Sequence, residues 1–434
     1  MSPLDIWCIV IGAILVSMAL TSSIVERLPV TPAILYLAAG YAIGRGGVGL
    51  HELDPVVDAP LLRALSEIAI AISLFAVGLK LRVPMTRHAW RVPLRLAVPA
   101  LVLTMLFFAG AAHWIYGLSP GLALLLAAIL SPTDPVLGAD VHVARPGDRD
   151  QVRFGLTAEG GINDAVALPA VLLGLGLLGR HDLGAFGWHW LLVEVLWFML
   201  GGFAVGWAIG WLVGRLVLQL RRHRIAVGLD EFLGFGVMGL AFGIAGQLLA
   251  SEFLAVFAAG LALRHIERRV SVGGGVKPGE VSLDDKAAAV DPERAAAHMT
   301  HSLLAFNTQA EHIAELSLVM VLGGLLASVV PDFRDLLLGA FLFLVARPLA
   351  VALALVGTGC LSEQRRLIAW FGIRGIGSLY YLAFVLQSGL VGPPADRLAS
   401  TVLLVTAASI VVHGLTATPL MQRYYRRSRP GNGQ

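Results

Sequence analysis

Charge is scarce in this chain. Only 14% of its 434 residues are Asp, Glu, Lys or Arg, and 57% are hydrophobic, whereas an ordinary soluble domain carries roughly 25% charged residues. So few charges cannot cover a water-soluble fold of this length, and no soluble domain of any size fits. Cysteine is nearly missing: Cys8 and Cys360 lie in or beside apolar segments with no CxxC or other metal-ligand spacing. That excludes a disulfide framework or a cluster site and leaves packing as their expected role. The basic excess is small, +3 at pH 7, and its residues sit between apolar segments, so no nucleic-acid partner is expected. Ile6 to Val25 lacks a basic leader and a clear cleavage site, and is expected to be a retained helix.

Apolar length is what the chain has. A helix crossing the roughly 30 Å hydrocarbon layer needs about 20 mostly apolar residues. Apolar windows punctuated by charge and proline predict spans near 6–25, 31–44, 61–79, 92–116, 121–141, 152–178, 190–218, 230–250, 252–264, 303–330, 336–357, 365–390 and 398–421. The expectation is an all-α polytopic membrane protein of about 13 transmembrane helices. Residues 1–421 would form one transmembrane unit and 422–434 a short basic cytoplasmic tail. The long polar connection, 265–302, contains Gly273 to Gly275 and is expected to be a flexible cytoplasmic loop. His298 and His301 in it lack a third metal ligand, and a solvated linker is the better reading.

Orientation follows from the retention of Lys and Arg in cytoplasmic loops. With the C-terminus inside, 24 of the 32 basic residues fall in inner loops and five, Arg45, Arg63, Arg180, Arg334 and Arg397, fall outside. An odd number of helices preserves this partition, so the N-terminus is expected outside, in the cell inner membrane. Six helices, one long helix and six more is the pattern of two inverted six-helix repeats, whose substrate site lies where broken helices meet at the midplane.

An ionisable side chain inside hydrocarbon costs several kcal/mol unless paired or hydrated. Five stand out: Asp134, Glu159, Asp164, Arg347 and Arg374. In span five, Ser131-Pro132-Thr133-Asp134-Pro135 places two prolines three residues apart, each removing a backbone donor, so the helix must break. Carbonyls freed near Thr133 could then bind a dehydrated cation while Asp134 balances the half-helix dipoles. In span six, Glu159 and Asn163 share a face at i, i+4, and Asp164 lies about 100° beyond Asn163. Burial favours a protonated carboxyl and a nearby cation favours an ionised one, so Asp164 could hold proton and metal ion by turns. With Asn163 neutral, one binding charge would cycle and exchange would be electroneutral. Arg347-Pro348 in span eleven needs a partner, for which Glu159 is the candidate. In span twelve, Gly372-Ile373-Arg374-Gly375-Ile376-Gly377 reads as a second broken helix, and charge balance assigns Glu67 of span three to Arg374.

These residues together resemble the monovalent cation:proton antiporters of the type-1 group, which includes the bacterial NhaP-like exchangers and the animal sodium/proton exchangers. The resemblance covers essentially the whole chain. Thr133-Asp134-Pro135, Asn163-Asp164, Arg347-Pro348 and Arg374-Gly375 carry it, in that order at that topology. It implies thirteen helices with crossed broken helices 5 and 12, a mobile core, a dimerisation domain and hence a homodimer, and an elevator-like movement. It also implies that Asp164 carries the ion or proton, surrounded by Thr133, Asp134, Glu159 and Asn163, with Na+ or K+ held at Asp164, Thr133 and Glu159. Arg347 matches an arginine that pairs with the glutamate at Glu159. Many relatives carry serine where this chain has Gly160, so one hydroxyl ligand is missing and ion preference transfers less safely than mechanism. With thirteen residues after Met421, the large cytoplasmic regulatory domains of some relatives are expected to be absent.

The expected partners are Na+, K+ or Li+, H+ and membrane lipid, with no cofactor. Potassium-preferring exchange is the first alternative. A passive channel would need no protonatable carboxylate, and an organic-anion carrier would show more basic than acidic groups at the midplane. A hydrolase built on Ser378 would need a histidine base; His113 and His413 are read as lying toward helix ends.

Overall fold

The computed structural model describes residues 31–223, 230–273 and 288–428, apart from 45, 48, 50–52, 139–140, 144–145, 149 and 292, together with Gly12 and Val16. The first expected span, 6–25 with Cys8, lies outside the described residues, as do 429–434. Helices are α1 (Pro32–Ile43), α2 (Ala59–Lys80), α3 (His88–Tyr116), α4 (Pro120–Leu130), α5 (Gln151–Leu177), α6 (Ala185–Arg221) and α7 (Asp230–Gln247). They continue as α8 (Glu252–Gly273), α9 (Ala295–Leu326), α10 (Phe333–Ala354), α11 (Ser362–Trp370), α12 (Ile376–Gln387) and α13 (Pro393–Ser428). No strand occurs among the described residues. Seven of these helices, α2, α3, α5, α6, α9, α10 and α13, are long and apolar enough to cross a membrane unaided.

Span five is α4 followed by a non-helical stretch, and span twelve is split into α11 and α12. Each break has a local cause. Pro132 cannot continue the ladder of α4, and Phe371 to Gly375 brings two glycines to the end of α11. The fourth span of each half also carries a π-turn, Leu96–Ala100 in α3 around Pro99 and Leu342–Ala346 in α10 just before Pro348. A proline ring displaces the carbonyl four residues earlier, and widening the turn accommodates it. The two halves thus share irregularities at matching places.

In lipid, helices associate through close van der Waals packing, which small residues permit. Gly202, Gly206 and Gly210 form one stripe of α6, where an added Cβ would run into the backbone of α8 at Ser251, Ala255 and Ala259. Gly161 lies in the same way against the Phe257 ring, which seats α5 on α8.

Two boundaries differ from those read in the sequence. Helix α8 continues through 265–273 and α9 begins at Ala295, so helix enters the expected loop at both ends. Polar residues of the last turns of α8 face inward: Glu267 takes Arg82 at 2.9 Å and Arg264 at 3.1 Å, Ser271 donates to it at 2.8 Å, and Arg264 reaches Thr300 of α9 at 3.3 Å. A buried polar network has the low hydropathy of a linker, which is why the window ended early. Helix α13 likewise runs on to Ser428, and the Tyr424 hydroxyl donates to Asp150 at 2.8 Å. Cys360 is buried in the turn before α11, where desolvation pushes its thiol up and away from reactivity.

Candidate functional site

The two breaks satisfy each other's backbone. Asp134 donates its N–H to the Ile373 carbonyl at 2.8 Å. Its carboxylate accepts from the Val136 N–H at 2.7 Å and from the Ile376 N–H that opens α12. A carboxylate at a helix N-terminus balances the partial positive charge there. Ser378 donates to the Ile129 carbonyl at 3.0 Å, using an acceptor that the break in α4 leaves without a helical partner. From α5, the Asn163 amide donates to both oxygens of Thr133, at 2.9 Å to the carbonyl and 2.8 Å to the hydroxyl. Thr133, Asp134 and Asn163 therefore hold the break open as a rigid turn.

Gly160 matters for shape. A Cβ there would sit 2.9 Å from Cβ of Pro135, so glycine allows the break to lie against α5, and the serine of many relatives would not fit without a shift.

A cavity lies at this junction, lined by Thr133, Asp134 and Asp164 with Pro132, Pro135, Ser73, Gly375, Gly377 and Ser378 among its neighbours. It measures about 10 Å³, room for a single water-sized occupant. Asp164 is 5% exposed, and its main-chain carbonyl accepts from the Tyr381 hydroxyl at 2.8 Å. No ion pair among the described residues claims its carboxylate; the arginine nearby is taken by Glu159. Gly377 lies beside Asp164, where a Cβ would meet the carboxylate at 3.5 Å in ordinary contact.

Gly375 is more tightly constrained. A Cβ at that position would lie 2.9 Å from Cγ of Asp134 and press on Leu137, so Gly375→Ala must displace the carboxylate that caps α12. Overpacking of this kind costs about 1–3 kcal/mol. The expected result is a roughly tenfold slower cation-dependent proton flux in proteoliposomes; a Gly375→Ala variant with the wild-type rate would mean that the Asp134 position is not critical.

Glu159 and Arg347 form a two-pronged ion pair, Nη1 to Oε1 at 2.5 Å and Nη2 to Oε2 at 2.8 Å, both residues fully buried. This geometry sets Glu159 apart from Asp164 and Thr133, with which it was grouped as an expected cation ligand. Both of its oxygens are spent on the guanidinium, and it does not line the cavity. Five residues along a helix is about 140° of rotation, which turns Glu159 away from the side that Asp164 faces.

The pairing of Glu67 with Arg374 is corrected. Glu67 sits with Arg63 at 3.9 Å, i and i+4 on α2, its side chain 29% exposed. Arg374 is fully buried in the break, donating Nη1 to the Gly372 carbonyl at 2.8 Å and its backbone N–H to Ser409 at 2.8 Å, with Nε and Nη2 unpartnered. Charge balance paired them; depth in the fold separates them. Glu67→Gln is expected to leave the exchange rate within about twofold, consistent with the small worth of exposed ion pairs, and a loss beyond tenfold would reinstate Glu67.

Sequence reasoning passed over several groups. Ser73 of α2 lines the cavity and donates to Glu311 of α9 at 3.2 Å, and Lys80 holds the other oxygen of Glu311 at 2.9 Å. Glu315, one turn further along α9, is buried as well. The signal was present: two glutamates inside an apolar span are functional candidates by default. His413, read as lying toward a helix end, is in the interior of α13 and 1% exposed. Its nitrogens engage Ser409 and Trp370, and the Ser378 hydroxyl donates to a carbonyl, so no nucleophile and base meet here.

Comparison with known proteins agrees with this arrangement. The chain matches the family described as sodium/hydrogen exchanger, transmembrane, over residues 13–277 and 290–423. It is 27% identical over 423 residues to the K(+)/H(+) antiporter NhaP of Alkalimonas amylolytica, covering 97% of this chain and 67% of that protein. It is 28% identical over 417 residues to the K(+)/H(+) antiporter NhaP2 of Shewanella sp. (strain MR-4), covering 94% and 65%. The chain thus spans about two thirds of the length of these curated relatives. In fold it resembles the sodium proton antiporter MjNhaP1 from Methanocaldococcus jannaschii, with a TM-score of 0.72 at 18% identity, covering 97% of this chain and 99% of that one. Broken spans meeting at buried carboxylates, the four dipeptides that surround them and a match along nearly the full chain place this multi-pass membrane protein in the sodium/hydrogen exchanger family.

Proposed function

We propose that the protein is a secondary active transporter that exchanges one monovalent cation, Na+, K+ or Li+, for one proton. One observation carries the reading: the Asp164 carboxylate lines a cavity for a single occupant, with Asp134 and Thr133 in the same wall and no arginine or lysine paired to it. A lone buried carboxylate is stable only with a proton or a cation beside it, and either one excludes the other from so small a space.

The single unpaired carboxylate supports a ratio of one to one. Glu159 is held by Arg347 and Glu311 by Lys80, whereas Asp164 has no ion-pair partner among the described residues, so a proton or a monovalent cation balances its charge equally well. An uncompensated Asp164 disfavours moving the empty bundle through hydrocarbon, which is what prevents a leak. Thr133 and Asp134 complete the proposed ion site, Asn163 positions Thr133, and Arg347 with Glu159 fixes α10 against α5. Preference for K+ is the second reading, favoured by the names of the two curated relatives. We place the protein in the inner membrane as a homodimer, N-terminus outside and C-terminus inside, on the asymmetry of its basic loops.

The test is reconstitution in liposomes with an imposed pH gradient, adding Na+, K+ or Li+ separately and following internal pH. Collapse of the gradient by one or more of them is the expected result; no response from correctly inserted protein would defeat the proposal. The rate should be bell-shaped in pH. Protons occupy Asp164 in acid and keep the cation out, and exchangeable protons become scarce in base, so a flat profile from about pH 5 to 9 would sink the shared site.

A further inference from the structure

An unwound stretch at membrane depth must find partners for its own N–H and C=O groups. For the break between α11 and α12, one side is settled by Asp134, which engages Ile373 and Ile376. The opposite side is settled by α13. The Arg374 N–H donates to Ser409 Oγ at 2.8 Å, Ser409 Oγ lies 3.1 Å from His413 Nδ1, and His413 Nε2 lies 3.0 Å from the Trp370 carbonyl.

The ring faces a carbonyl from each nitrogen, Trp370 at 3.0 Å from Nε2 and Ser409 at 2.9 Å from Nδ1, and a carbonyl can only accept, so either nitrogen can serve as the donor. Ser409 Oγ accepts from the Arg374 N–H and stands beside Nδ1. The result is a strap of contacts, Arg374 N–H to Ser409 to His413 to Trp370 C=O, which bridges both ends of the break. Arg374 directly follows Ile373, whose carbonyl accepts from Asp134.

We infer that His413, acting through Ser409, is a positioning residue for the cation site: it sets the spacing of the unwound stretch and thereby where Asp134 stands. The inference rests on the exchange reading above. Its geometric content is that the side chain at 413 must reach Ser409 and the Trp370 carbonyl with polar atoms about one ring apart. Glutamine meets that requirement without titrating, and leucine, of similar bulk, does not.

The experiment compares wild type, His413→Gln, His413→Leu and Ser409→Ala in proteoliposomes at matched amounts of folded protein, reading the half-saturating cation concentration, the maximal rate and the pH optimum. His413→Leu and Ser409→Ala are expected to raise half-saturation about tenfold, with His413→Gln within about threefold of wild type at an unchanged pH optimum. Should His413→Leu fail to fold, Ser409→Ala carries the same expectation alone. Unchanged half-saturation with only a lower maximal rate would make the strap a support of the fold and overturn the inference, as would a glutamine variant as impaired as leucine. If wild type exchanges ions and the variants match it, this inference alone is lost; if wild type exchanges none, the exchange reading fails and takes the inference with it.

Discussion

Asp164→Asn is expected to abolish cation-driven proton movement, at least about 100-fold below wild type, while the protein remains folded. Asparagine has nearly the same shape and can still sit beside Gly377, but it can neither take up a proton nor offer a full negative charge. A buried charge is worth several kcal/mol to a cation in a low-dielectric cavity, and each 1.4 kcal/mol or so is a factor of ten in rate. The substitution also removes a buried carboxylate that has no ion-pair partner among the described residues. Thermal unfolding in detergent should therefore occur at the wild-type temperature or above it, because an uncompensated carboxylate has been removed. Dye-reported pH in proteoliposomes, run in parallel with the unfolding measurement, checks both halves. Residual flux above about a tenth of wild type would show that Asp164 is not the shared carrier of proton and cation.

Arg347→Ala is expected to be the most destabilising single change. It leaves Glu159 fully buried with both oxygens stripped of the guanidinium that now holds them at 2.5 and 2.8 Å. Breaking a buried pair from one side costs about 3–5 kcal/mol, whereas replacing both partners by apolar side chains of similar size is often neutral. The double variant Glu159→Leu with Arg347→Met removes one charge of each sign, so the net charge around the breaks is unchanged. It should fold, and it should still exchange ions within about tenfold of wild type, because Glu159 lies outside the cavity. Thermal stability of the single and double variants, with flux for the double, decides the matter. A folded double variant without flux would return Glu159 to the set of cation ligands; a single variant as stable as wild type would mean that the pair contributes little to holding α10 on α5.

Much of the architecture was legible because the bilayer is an unforgiving solvent. Spans of the required length, the breaks at Pro132 and at Gly372 to Gly375, and the improbability of Asp134, Asp164, Arg347 and Arg374 at membrane depth all follow from hydrophobic cost and from the missing proline donor. Boundaries were less legible where polar residues turn inward. Arg264, Glu267 and Ser271 look like a loop and are the last turns of a helix, and Glu311, inside an apolar span, accepts from Ser73 of the cavity wall.

The sequence by itself determined the helical class, the two interruptions and the small set of buried ionisable groups, because each depends on the free energy of a residue in lipid and on local chain chemistry. Tertiary structure decided most of who meets whom. It kept Glu159, whose pairing with Arg347 the charges had suggested, out of the cavity lining, separated Glu67 from Arg374, set Gly160 against Pro135, and joined Ser73 of the cavity wall to Glu311. Partners far apart in the chain are chosen by depth and by rotation about each helix, and neither is fixed until all the helices have packed.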